Sequence, residues 1–278
     1  MRAAVKAERV FTSERGTRSL ADRMRGAAMS GPEFKDHFSE TAPDYAAHRP
    51  TYPVALAEHL ALLAPHRDLA LDCGCGTGQL SVLLAAHFAR VVATDASAAQ
   101  IANAAPHPNV SYRVAPAEAS GLAPGSVDLV TVAQAAHWLD LDAFYAEAAR
   151  VARPGAALAL VTYGVLHLDG APGPVVDQFY RAIAGPYWPP ERRHVEEGYR
   201  NLPFPVPDLP APSLAITVSW MLADLLGYVE TWSAVRALEA ARGREPIEAF
   251  RGALAAAWGD PRTRRLVRWP LSLRIGRL

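Results

Sequence analysis

The sequence is poor in cysteine, in net charge and in long apolar runs. Its two cysteines, Cys73 and Cys75, stand too close together for an ordinary structural bridge. That excludes a disulfide-built scaffold and points to a reducing, cytoplasmic setting. Lysine plus arginine equals aspartate plus glutamate, at 28 each. The chain therefore has no global field to recruit nucleic acid or an anionic membrane, and neither is an expected partner. The best candidate for a spanning segment, Val151 to Leu166, is broken by Arg153, Pro154 and Gly155, so a soluble protein is expected. Internal repeats are missing too, and no metal site is expected. The stretch from Met1 to about Gly31 is rich in arginine and alanine and lacks the apolar core of a secretory signal. Residues 1–33 are expected to be a disordered extension, with Met24 and Met29 as alternative starts, and residues 34–278 to form one domain.

What the chain has is apolar residues, half of the total, enough to bury a sizeable core. They come as short runs alternating with helical periods. "PDYAAHRPTYPVALAEHLALLAP" predicts a short helix, a turn through Arg49, Pro50 and Pro53, and a second helix that ends before Pro65. Strands are expected at Leu69 to Asp72 and in "RVVATDAS", "VSYRVAP", "VDLVTVAQAAHW" and "AALALVTYG". A helix starting near Gln79 carries Leu80, Leu83, Leu84 and Phe88 on one face. Ser97 suits the cap of the next helix, and a third helix, with Leu141, Phe144, Ala148 and Val151 inward, stops at "RPG". This alternation predicts a doubly wound α/β sheet. Residues 165–212 change style to prolines and aromatics ("GPYWPPERR", "YRNLPFPVPDLPAP") and are expected to form a cap. "SLAITVSW" reads as a sixth strand, "LADLLGYVETWSAVRALEAA" and "EPIEAFRGALAAAW" as helices, and "VRWPLSLRIGRL" as a last strand.

The densest chemical signal is "LALDCGCGTGQLSVLLAAHF". Its glycines lie where the first strand turns into the first helix, at the edge where α/β sheets bind nucleotides. Glycine there allows positive φ and close approach of a ligand to the backbone; a tight turn without a ligand is the alternative. Three carboxylates favour a nucleoside. Asp95 closes the second strand, where a carboxylate accepts both ribose hydroxyls. Asp72 stands before the loop, and Ala117 with Glu118 follows the third strand, within reach of a base. A dinucleotide fingerprint needs G-x-G-x-x-G, but Gly74, Gly76 and Gly78 alternate and Gln79 takes the place of the final glycine. Asp72 would also repel a pyrophosphate and would suit an ammonium group. S-adenosylmethionine carries that ammonium together with a ribose and an adenine.

At "LDCGCGTGQ", "ATDASAAQI", "APAE", "QAAHWLD" and "RPGAALAL" the chain resembles the class I S-adenosylmethionine-dependent methyltransferases, motif by motif and in order. "FSETAPDYAAHRPTYP", "QAAHW", "GYRNLPFP", "TWSAV" and "VRWPLSLRIGR" are similar to the branch typified by trans-aconitate methyltransferases, whose recognised substrates are small carboxylic acids. The resemblance implies a Rossmann-like, mostly parallel seven-stranded sheet with an inserted helical or irregular cap. It implies S-adenosylmethionine as cofactor: Asp72 and the loop of Gly74, Cys75, Gly76 and Gly78 at the methionine end, Asp95 at the ribose, and Ala96, Ser97, Ala117 and Glu118 around the adenine. Gln134, in the fourth motif, belongs to the same cofactor set, and Tyr45 and Arg49 would close over it.

A small-molecule acceptor is expected, held by a monomer or homodimer. If it is a carboxylate it needs cations and no base, and Arg193 and Arg200 are candidates beside Arg49 and His194, with Trp138 at the mouth. Arg192 and Arg193 could equally solvate a loop. If it is an alcohol or phenol, His137, just beyond the fourth strand, is the best-placed base, although an imidazole there could simply hold a neighbouring strand. Tyr180, Tyr187, Trp188 and Phe204 could line an apolar pocket or pack the cap down. The cysteines read as loop fillers. N- or C-methylation, a binding protein without catalysis and a dinucleotide-dependent oxidoreductase stay open as alternatives.

Overall fold

The computed structural model describes residues 51–278. The extension 1–33, the short helix expected near Pro43, Tyr45 and Arg49 lie outside these residues. Helix α1 (Val54–Leu63) leads into β1 (Leu69–Cys73), α2 (Gln79–Leu84), β2 (Arg90–Asp95), α3 (Ala98–Ala102), β3 (Val110–Val114), β4 (Val127–Ala133), α4 (Leu141–Val151) and β5 (Ala152–Tyr163). The C-terminal part holds β6 (His167–Leu168), α5 (Pro172–Gln178), α6 (Arg192–Glu196), β7 (Ala215–Trp220), α7 (Leu222–Glu230), α8 (Ser233–Arg242), α9 (Glu245–Trp258) and β8 (Arg265–Arg277).

The strands lie in the order β3-β2-β1-β4-β5-β8-β6, with β7 also on β8. Strands β1 to β5 are parallel, and β8 runs antiparallel to β5, β6 and β7. The doubly wound, mostly parallel sheet is as the sequence implies, with eight strands where seven were expected. The extra one is β6, whose two residues are too few to register as a pattern.

Successive side chains of each central strand enter opposite cores. Leu69, Leu71 and Cys73 pack on one face with Val130, Val132, Phe144 and Val151. Ala70 and Leu129 pack on the other with Leu56, Leu84, Val161 and Ile275. Two cores sandwich the sheet, which is why these strands read as continuous apolar runs. Arg153, which interrupts the longest such run, pairs with the fully buried Asp128 at 2.9 Å and with Asp68 at 2.8 Å. Asp128 also accepts from the backbone N–H of Asp68 and Leu69, tying β5, β4 and the start of β1 together.

Two expectations need correction. The first long helix stops at Leu84, short of Phe88. The helix expected across 222–241 is two: α7 ends where the Thr231 hydroxyl donates to the Tyr228 carbonyl at 2.6 Å, and Trp232 is extended (ψ 133°) before α8 begins. No helix among the described residues is long and apolar enough to cross a membrane, and none of their His, Cys, Asp and Glu side chains group as metal ligands.

Candidate functional site

The parallel strands β1, β2, β4 and β5 all end at one edge, and the glycine loop opens there after β1. Gly74, Gly76 and Gly78 have φ of 62°, 55° and 84°, in the left-handed region that only glycine enters without strain. What excludes a side chain differs among them. A Cβ on Gly74 would sit 2.6 Å from the Cβ of Ala135, in the turn after β4, and one on Gly78 would run into the ring of Tyr112. Those two glycines are demanded by protein packing. A Cβ on Gly76 would meet nothing nearer than the Gln100 Oε1 at 3.7 Å, so Gly76 alone leaves open backbone facing the loop's free side.

The carboxylates support the loop from behind. Asp95 accepts from the N–H of Gly76 at 2.8 Å and from the N–H of Ser97 at 2.8 Å, linking β2 to the glycine turn. Ser97 caps α3 as its sequence suggested, accepting from the Gln100 N–H. Asp72 does not stand free to meet an ammonium group directly, as the sequence suggested. It is 1% exposed, as the buried pattern of β1 dictates, and accepts from the Ser81 hydroxyl at 2.6 Å and the Thr131 hydroxyl at 2.7 Å. Burial raises its pKa to about 6 against the opposing pull of those two hydroxyls, and the charge of Asp95 adds to the rise. Ala117 is buried and Ala96 exposed, while Glu118 accepts from the Asp140 N–H at 3.0 Å. Burial pushes the thiols of Cys73 and Cys75 up, which keeps both in the unreactive form.

A cavity of about 120 Å³ lies beside the ends of β4 and β5. Gln134, His137 and Trp138 line it from the turn after β4, and Tyr163 to Leu166 from the end of β5. Tyr180, Trp188 and Arg192 supply a second wall. The third, from Tyr228, Trp232 and Arg236 on α7, α8 and their joint, went unforeseen, because each of these residues reads as an ordinary face of an amphipathic helix. Trp232 packs edge to face with Tyr180, 5.3 Å between ring centres, and at a tilt against Trp188, at 5.6 Å. The charged residues of this lining are Arg192 and Arg236, with no acid among them.

Of the cations proposed from sequence, Arg193 and Arg200 are exposed, and neither lines the cavity. Arg193 pairs with Glu197 at 3.7 Å, and its neighbour Arg192 takes the inward place. The guanidinium of Arg192 stacks 4.8 Å over Trp188, and its Nε donates to the Tyr180 hydroxyl at 2.9 Å. Tyr180 in turn donates to Glu196 at 2.5 Å.

His137 does line the cavity, with Nδ1 2.8 Å from the Tyr199 hydroxyl. Burial, with the positive charges of Arg192 and His194, lowers its pKa to about 3. Gln134 is fixed alongside: its amide donates to the Tyr163 carbonyl, and its carbonyl accepts from Thr162, each at 2.8 Å.

Comparison with known proteins shows the family. Residues 71–160 match the methyltransferase domain model. A Dictyostelium discoideum protein named as a methyltransferase is 34% identical over 233 residues, which is 81% of this chain and 88% of that protein. The solved structure of a protein named as a type II methyltransferase from Anaeromyxobacter dehalogenans is 52% identical, with a TM-score of 0.79 over 82% of this chain and 97% of the other. A malonyl-[acyl-carrier protein] O-methyltransferase from Dechloromonas aromatica is 35% identical over 145 residues, 50% of this chain and 53% of that protein. Likeness that spans most of both chains, in sequence and in fold, settles the family: the chain belongs to the class I S-adenosylmethionine-dependent methyltransferases.

Proposed function

We propose that this methyltransferase esterifies a small-molecule carboxylic acid, in keeping with the resemblance of its sequence to the trans-aconitate methyltransferase branch. The observation that carries the reading is the cavity's charge: two arginines, no acid, and a histidine whose pKa is depressed to about 3. A carboxylate enters already ionised, so no proton has to leave before it attacks. A hydroxyl would need a base, and an imidazole with so low a pKa is a poor one.

The residues present fit S-adenosylmethionine. Open backbone at Gly76 would accommodate its methionine end, Asp95 would take the ribose, and Ala96, Ser97, Ala117 and Glu118 would hold the adenine. Asp72 contributes negative charge from beneath the loop to the pocket that would take the ammonium. The cofactor supplies a methyl group on a sulfonium, a centre already activated for displacement. The chain's own task is alignment: Arg192 and Arg236 hold and orient the anion, the aromatic walls exclude water, and Gln134 and His137 shape the end nearest the glycine loop. Alignment alone can lower a barrier by about 7–11 kcal/mol. In this reading residues 165–212, with α7 and α8, form the cap over the acceptor.

The test is calorimetric titration with S-adenosylmethionine, S-adenosylhomocysteine and NADH, then a screen of carboxylic acids and phenols for methyl esters and ethers. Binding of the first two ligands followed by ester formation is expected. Ethers formed without esters would replace this reading with hydroxyl methylation.

A further inference from the structure

Among the described residues only two non-glycine residues have φ in the left-handed region, Gln134 at 58° and Tyr199 at 61°. Both belong to one chain of polar contacts beneath the cavity: Gln134 with Thr162, and Tyr199 with His137. Strained backbone of this kind persists where the surroundings over-determine it, and such places cluster at functional sites. Tyr199 is fully buried, and burial raises its pKa, so its hydroxyl keeps its proton and must place it.

The direction of the contact with His137 follows from where the phenolic proton can go. The hydrogen-bond partner of the Tyr199 hydroxyl is Nδ1 of His137, at 2.8 Å. A buried O–H without an acceptor costs more than an oxygen lone pair left unfilled. The hydroxyl therefore donates, and Nδ1 accepts. Thr162 also touches Tyr199, but its own proton is committed to Gln134. A second proton on the imidazole is opposed by burial and by Arg192 and His194.

We propose that Tyr199 is a positioning residue that locks His137 as the neutral tautomer protonated on Nε2, so that the cavity is offered a hydrogen-bond donor and not a base. This rests on the carboxylate reading above and deepens it: the Nε2–H would donate to one carboxylate oxygen and turn the other toward the methyl group. No proton changes hands.

The experiment is nitrogen NMR of histidine-labelled full-length protein from pH 5 to 9, which needs no acceptor and no turnover. The proposal expects an unprotonated, hydrogen-bonded Nδ1 and a protonated Nε2 in His137, unchanged across the range. A protonated Nδ1, or a titration inside the range, overturns it. Tyr199→Phe keeps the ring and removes the hydroxyl; His137 should then lose its single tautomer, and kcat should fall on the order of tenfold, the scale of one hydrogen bond, with cofactor affinity unchanged. His137→Gln, which can accept from Tyr199 and still donate to the cavity, should retain more activity than His137→Ala. Equal loss in both would overturn the donor role. Should the protein esterify no acid while His137 shows the stated tautomer, the carboxylate reading fails and the Tyr199 lock stands.

Discussion

At the scale of single residues, the glycine loop divides into two positions closed by the protein and one left open. Gly76→Ala should cost about 1–2 kcal/mol of stability for its left-handed backbone and should weaken S-adenosylhomocysteine binding at least tenfold. Gly78→Ala must also displace Tyr112, so it should lose more stability than Gly76→Ala in urea denaturation. The reverse ranking would mean that the open side of the loop has been misassigned. Asp72 makes a pH-dependent prediction. Its folded pKa of about 6 lies above the ordinary 3.8, so between these values the folded protein holds a proton that the unfolded chain has released. Stability should fall as pH rises through this window, by on the order of 3 kcal/mol. Asp72→Asn should remove that fall, matching the wild type below pH 4 and exceeding it above pH 7. A stability difference that does not change with pH would sink the argument. Sequence showed the acid and the three glycines but not their neighbours. That Ala135 and Tyr112 close two of the glycine positions, and that Asp72 turns under the loop, depends on contacts across the sheet that no local pattern carries.

At the scale of elements, the inner parallel strands β1, β2, β4 and β5 were legible because each is buried on both faces, whereas short helices and joints were not. The apolar spacing from Leu222 through Tyr228 to Trp232 and Leu238 runs on past Thr231 as if one helix continued, since the break is made by a side-chain cap and one extended residue. Helix α6 shows the same limit. In its five residues, Arg192 shares a face with the buried Val195, three positions on, and Arg193 shares one with the exposed-side Glu197. Adjacent arginines are thus separated into cavity and solvent, and the sequence reading picked the outward one. Arg192→Met should raise KM for a carboxylic acid roughly 10–100-fold, the range for losing a charge-assisted hydrogen bond, with a smaller change in kcat. Arg193→Met should leave both constants within about twofold. Steady-state kinetics of the two variants with one acid decides it, and similar effects in both would remove Arg192 from the acceptor site.

At the scale of the molecule, one edge of the sheet carries two regions built from different stretches of chain, the proposed cofactor and acceptor subsites. The glycine loop and the acid of β2 come from residues 72–97, while the cavity walls come from the ends of β4 and β5, from residues 180–192 and from α7 and α8. Among the described residues, the turn after β4 joins the two regions: Ala135 lies against Gly74, and Gln134 and His137 line the cavity. Their ligands should therefore stabilise the fold separately. S-adenosylhomocysteine at about 100 times its Kd should add about 2.7 kcal/mol, which for a domain of this size is a rise in Tm of roughly 5–10 °C. NADH at the same concentration should give none. Arg192→Met should keep the whole of the S-adenosylhomocysteine shift while losing the further shift that an acid acceptor adds, and Gly76→Ala should lose about half or more of the first. Thermal unfolding followed by calorimetry reads all of these. If Arg192→Met abolished the cofactor shift as well, the two subsites would be one, and the wall that carries Arg192 would have to reach the glycine loop.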